Sequence, residues 1–235
     1  MFELDKIKYA SVKPEPFQHV EINGLFPIQR YRRSLQLFPT PEEMYSKNAT
    51  DTRLSIVSEH VDDTQNIDSK LKGNKLKFWV EFRKVFYTGD FVDELKKLFD
   101  ITESVRAYGD LNITTARSHG ESFKDVSNSL LTAVIYLDNT SHDKGINFFD
   151  SDGNTVHTLE HYPNKMLIWK TNNGDYESYQ HQTESNFLRY ITLSLQSEIR
   201  STENVSSDSS TGGLTTDSEE EPVVAINEAT DSLHD

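Results

Sequence analysis

His119 and Glu121 are separated by a single residue in the run Ser118-His119-Gly120-Glu121-Ser122. On a β-strand, residues i and i+2 project from one side, so an imidazole and a carboxylate would stand together there. That pair is two thirds of the 2-His-1-carboxylate set that holds non-haem Fe(II) and leaves coordination positions open. Further along, Phe187, Arg189, Ile191 and Leu193 share one strand parity, while Tyr190, Thr192, Ser194 and Gln196 share the other. Arg189 therefore falls on the apolar face, where a guanidinium is costly unless an anion pairs with it. The pattern asks for a metal beside His119 and an anion beside Arg189.

These residues need a rigid frame. From Val105 onward, short strands are expected near 105–109, 112–118, 130–137, 146–150, 155–161, 165–170 and 187–195. They are punctuated by Asp138-Asn139, Asp152-Gly153-Asn154, Pro163-Asn164 and Asn172-Asn173-Gly174. Strands so closely spaced predict a sandwich or barrel. Leu130 to Leu137 is apolar at both parities, as a strand covered on both faces must be.

Before the strands, Lys77 to Asp100 reads as two helices. Trp79, Phe82 and Phe86 mark one buried face; after a break at Thr88-Gly89, Asp90 can cap a second helix striped by Phe91, Leu95, Leu98 and Phe99. Met1 to about His60 reads as short strands and loops, with Val20-Glu21-Ile22 alternating before the turn Asn23-Gly24. Thr40-Pro41-Glu42-Glu43 carries a capping-box signature. Asp62 to Asn74 is polar and reads as a surface loop. Arg30-Tyr31-Arg32-Arg33 reads as an exposed polar strand or turn rather than a phosphate site. His142, His157 and His161 read as solvent-facing.

Composition narrows the chemistry. With no cysteine among 235 residues, disulfides, thiolate metal sites and cysteine nucleophiles are all excluded. No apolar run is long enough to span a membrane, and the first residues lack a signal-peptide core, so a soluble cytoplasmic protein is expected. The net charge is −14, but Ser201 to Asp235 holds nine Asp/Glu and no Lys/Arg, which leaves only −5 on the rest. That acidic stretch repels phosphate backbones, so general nucleic-acid binding is not expected. It also lacks aromatic residues and is expected to be disordered. The predicted organisation is a folded body over 1–198 and an acidic tail over 199–235.

Several motifs occur in a meaningful order. His119-Gly120-Glu121 precedes Leu131-Thr132-Ala133-Val134-Ile135-Tyr136-Leu137-Asp138, then Gly145-Ile146-Asn147-Phe148-Phe149. Pro163-Asn164-Lys165-Met166-Leu167-Ile168-Trp169 and Arg189 follow. In this order, residues 112–195 resemble the 2-oxoglutarate/Fe(II)-dependent dioxygenases, specifically their prolyl-4-hydroxylase-like branch. The resemblance implies a mainly β protein with flanking helices, its strands wound as a double-stranded β-helix (a jelly roll) around the metal. It implies Fe(II) and 2-oxoglutarate as cofactors and His119 and Glu121 as the first two metal ligands. Glu121 stands where Asp is usual, so its longer arm must fold back to reach the same metal. Arg189 would anchor the distal carboxylate of 2-oxoglutarate, helped by a tyrosine of a neighbouring strand, Tyr136 or Tyr108. For the third ligand His181 is favoured, because imidazole suits Fe(II) and no other histidine lies between His161 and His234. Glu177 is the alternative, since it occupies the position of the family's distal histidine when Tyr176 to Tyr179 is laid on that motif.

The reaction so implied is hydroxylation of a small-molecule or protein substrate. Two other readings stand beside it: a β-helix that has lost turnover and serves as a binding module, and an interaction protein working through its acidic tail. Arg189, likewise, has a second reading as the partner of an internal acid.

Overall fold

A computed structural model describes residues 3–44, 53–57, 66–87, 89–114, 122–123, 129–138, 145–150, 152–160, 162–171, 177–180 and 188–198. The chain divides into two units, Met1–Ile199 and Arg200–Asp235. The second lies outside the described residues, and with it the expected disorder of the tail.

In chain order the elements are α1 (Leu4–Lys8), β1 (His19–Asn23), α2 (Ile28–Gln36), α3 (Pro41–Met44), β2 (Arg53–Val57), α4 (Ile67–Lys70), α5 (Gly73–Tyr87) and α6 (Asp90–Leu98). The β-rich half follows: β3 (Val105–Thr114), β4 (Ser122–Phe123), β5 (Ser129–Tyr136), β6 (Gly145–Phe149), β7 (Thr155–Glu160), β8 (Lys165–Lys170), β9 (Glu177–Gln180) and β10 (Leu188–Ser197). Six strands form one antiparallel sheet in the order β1-β8-β5-β10-β3-β2, and four form a second in the order β4-β9-β6-β7. From β3 onward the chain crosses from one sheet to the other at every step except β6 to β7, so the two layers are wound together rather than laid down in turn.

The alternation of side chains along the central strands builds two cores. Val134 and Tyr136 of β5, Leu167 and Trp169 of β8, and Leu188 and Tyr190 of β10 cluster with Ile146 and Phe148 of β6 and Leu159 of β7. These fill the space between the sheets. Ile135, Ile168, Ile191 and Leu193, at the opposite parity, join Trp79, Phe82, Phe91 and Leu95 of the helix pair. The central strands are thus covered on both faces, which is why β5 is apolar at every position but a few.

Local signals decide where elements start and stop. Thr40 and Glu43 form the capping box: the Thr40 amide donates to Glu43 Oε2 (2.8 Å) and the Glu43 amide donates to Thr40 Oγ1 (3.4 Å). α5 and α6 part at Gly89, whose φ of +80° is open to glycine without penalty. Gly89, not Asp90, is the N-cap of α6, and Asp90 opens its first turn. After β6, Asp150 Oδ1 accepts from the amides of Asp152 (3.0 Å) and Asn154 (2.8 Å), closing the expected turn.

Three expectations are corrected. Arg30-Tyr31-Arg32-Arg33 lies within α2, not in a strand or turn. Tyr31 and Leu35, one helical turn apart, both pack against the core and so override the polar residues between them. The polar stretch after Asp62 contains α4, capped by Asn66, whose side chain accepts from the Ser69 amide (2.9 Å). The strands expected at 105–109 and 112–118 are one strand, because β3 pairs without interruption along all of β10.

Candidate functional site

His119, Glu121 and His181 lie outside the described residues, so the expected metal set is not located. What the structure does fix is the frame around them. β4 begins at Ser122, directly after Glu121, and β9 ends at Gln180, directly before His181. The two strands pair antiparallel, Ser122 opposite Tyr179 and Phe123 opposite Ser178. Glu177, the alternative third ligand, sits in β9 opposite Phe149 of β6, one step from the pairing of Ser178 with the buried Phe148.

The two cofactor candidates are not brought together. Tyr136 is completely buried between the sheets, its ring 6.4 Å from that of Tyr190. Burial, and then the neighbouring Tyr190, push its phenol well above the usual range, so it stays protonated. Arg189 projects from the other face of the same sheet, with Ile191 and Leu193, as its parity requires. There its partner is Asp138. Nε donates to both carboxylate oxygens (3.1 and 2.9 Å), Nη2 donates to Oδ1 (2.5 Å), and the Arg189 amide donates to Oδ2 (2.7 Å). Nη1 reaches the Leu35 carbonyl at 3.1 Å, and the guanidinium lies 5.9 Å from the centre of the Phe38 ring.

The fork of hydrogen bonds to Asp138 raises the Arg189 pKa further, against the burial that would lower it. Tyr31 completes the lock, its hydroxyl donating to the Leu137 carbonyl (2.5 Å). The arginine therefore takes the internal-acid course. Its distance in parity from Tyr136 means that the two do not form one carboxylate cradle. Tyr108, the other tyrosine considered, lies on β3 opposite Ser194 of β10 and is half-buried.

Sequence reasoning missed a different set of polar groups on the inner side of the six-stranded sheet. His19 is 1% exposed, and Lys165 only 4%. Lys165 stands opposite Tyr136 in the β5–β8 register and bonds Glu21 (2.5 Å) and the Glu160 carbonyl (2.7 Å). Burial alone would raise the Glu21 carboxyl, but hydrogen bonds from Lys13 and Lys165 more than offset it and hold the pKa at about 2. His157, expected to face solvent, is half-buried with its ring 5.2 Å from that of His19. The readable signal was the spacing His19-Val20-Glu21-Ile22, in which Val20 and Ile22 turn to the helices and leave the polar pair for the inner side.

No family model matches the chain. No curated protein matches its sequence either. Solved structures do match its fold. An oxidoreductase of the 2OG-Fe(II) oxygenase family from Burkholderia pseudomallei aligns with a TM-score of 0.54 at 10% identity, over 76% of this chain and 84% of its own. The dioxygenase for auxin oxidation 1 from Arabidopsis thaliana, in its 2-oxoglutarate complex, aligns with a TM-score of 0.52 at 13% identity, over 83% and 88%. A prolyl-4-hydroxylase from Pseudomonas putida aligns at 0.48 and 11% identity over 83% and 97%, a score too low to bear on the branch. The fold is that of the 2OG-Fe(II) oxygenases: a double-stranded β-helix with helices packed on its six-stranded sheet.

Proposed function

We propose that this chain is an Fe(II)- and 2-oxoglutarate-dependent oxygenase that hydroxylates its substrate at the β4–β9 end of the barrel. The observation that supports it is the pairing of Ser122 with Tyr179. Glu121 precedes one of these strands and His181 follows the other, so two segments far apart in sequence enter the fold side by side. His119, Glu121 and His181 would hold the metal, with Glu177 the alternative third corner. Fe(II) and 2-oxoglutarate, when bound, supply the oxygen-activating chemistry. The chain's own part is to keep water out: Tyr136, Tyr190, Phe148 and Trp169 pack in the space between the sheets, next to the ion-paired Lys165 and Glu21. No step is assigned to Arg189, whose guanidinium is occupied by Asp138. The substrate, a small molecule or a protein side chain, is selected by the loops around the barrel.

One observation favours a second reading. Arg189, which the resemblance implies as the carboxylate anchor, is turned to the helices and locked to Asp138 rather than directed between the sheets. A β-helix without turnover would then serve as a binding module. Succinate release separates the two. Purified protein given Fe(II), 2-oxoglutarate and O2 is expected to release succinate above the His119→Ala background. Equal release from both supports the binding module.

A further inference from the structure

Two edge strands, β1 of the six-stranded sheet and β7 of the four-stranded sheet, face each other through His19 and His157. This seam belongs to different strands from the β4–β9 end of the barrel. The His19 Nδ1 lies 2.9 Å from the Phe17 carbonyl, which can only accept, so Nδ1 carries a proton and the neutral ring has its lone pair on Nε2. Nε2 is fully buried and has no hydrogen-bond partner among the described residues. An acceptor buried in that way is costly unless something binds it. Glu21 is not available, because its carboxylate is held by Lys13 and Lys165.

An imidazole whose Nδ1–H is pinned to a backbone carbonyl, and whose Nε2 is left bare, is oriented as metal-ligating histidines are. A second imidazole is at hand. The ring centroids of His19 and His157 are 5.2 Å apart and their planes 45° apart. Two imidazoles sharing one tetrahedral ion at about 2.0 Å from each nitrogen have centroids roughly 5 Å apart. Phe17 packs against both rings, at 5.2 and 5.9 Å, and shields the pair from solvent on that side.

We propose that His19 and His157 form a two-imidazole site for Zn2+ that clasps the β1–β7 seam of the barrel. Among the described residues no group of three His, Cys, Asp or Glu converges, so the two imidazoles are the protein ligands and water fills the remaining positions on the half-buried His157 side. Lys13 and Lys165 stand close, but both ammonium groups are turned to Glu21, leaving one net positive charge that moderates the affinity without blocking it.

The test is calorimetric titration of the full chain with Zn2+ at pH 7.5. It compares His119→Ala, which removes the candidate iron site, with His119→Ala/His157→Gln. One Zn2+ equivalent that also raises the melting temperature is expected in the first, and at least a tenfold weaker association in the second. The same difference of one equivalent is expected between the wild-type chain and His157→Gln, so the result does not depend on how the His119 variant folds. Far-UV circular dichroism of the metal-free proteins checks that His157→Gln leaves the fold intact. Equal Zn2+ binding with and without His157, or no Zn2+ binding by either parent, overturns the proposal and leaves Nε2 facing a buried water.

Discussion

At the scale of single residues, Arg189 and Asp138 carry the clearest energetic consequence. The guanidinium and the carboxylate are both partly buried and satisfy each other with several hydrogen bonds. Removing one partner strands the other, so Arg189→Ala is expected to destabilise the body by about 1–3 kcal/mol. Asp138→Asn should cost a comparable amount. A double-mutant cycle read by urea denaturation should return a coupling above about 1 kcal/mol; additive losses would mean that Arg189 is free for another anion.

Glu21 gives a second expectation, with a sign. Its carboxyl is held at about 2 in the fold, below its ordinary 4.5. Its contribution is therefore present above pH 4.5 and fades as pH falls from there toward 2. Glu21→Gln should lower stability near neutrality by about 1–3 kcal/mol and converge on the wild-type value near the acid limit. A constant offset at all pH values would contradict this. Parity made the apolar setting of Arg189 legible in the sequence. Its partner was not, because Asp138 sits at a strand end where only the fold decides which residue it meets.

Elements carry the next level of cause. The helix pair α5–α6 was legible from aromatic spacing, since Trp79, Phe82, Phe91 and Leu95 recur at helical intervals and are all buried. α2 was not, because its three arginines obscured the spacing of Tyr31 and Leu35. Trp79 ties these elements together. It is fully buried, donates from Nε1 to the Leu37 carbonyl (2.7 Å), and meets Phe38, Phe78 and Phe82 edge-on. Trp79→Ala is expected to cost about 3–5 kcal/mol, from lost burial, the cavity left behind and an orphaned carbonyl. Chemical denaturation measures it, and a loss below about 1 kcal/mol would show that the helices do not depend on this contact. The strand pattern was legible for the central strands, whose apolar residues sit at both parities. β9 escaped notice, since Glu177 to Gln180 has no alternation to read.

For the whole molecule, the order of motifs along the chain pointed to the oxygenase fold before any strand pairing was known, because the winding of this fold fixes which strand follows which. The third ligand could not be chosen from the sequence, since His181 and Glu177 lie only a few residues apart in it. Ending the chain at Ile199 should leave a body that melts within about 2 °C of the full chain, a shift worth at most about 1 kcal/mol. A markedly lower melting temperature would assign the acidic segment a structural role. The most direct measurement of the proposed function is the visible absorption of the protein under anaerobic conditions with Fe(II) and 2-oxoglutarate. A weak charge-transfer band is expected in the wild-type chain and should vanish in His119→Ala. A well-folded wild-type protein that shows no band at saturating Fe(II) and 2-oxoglutarate would contradict the oxygenase reading and leave a barrel that binds without turning over.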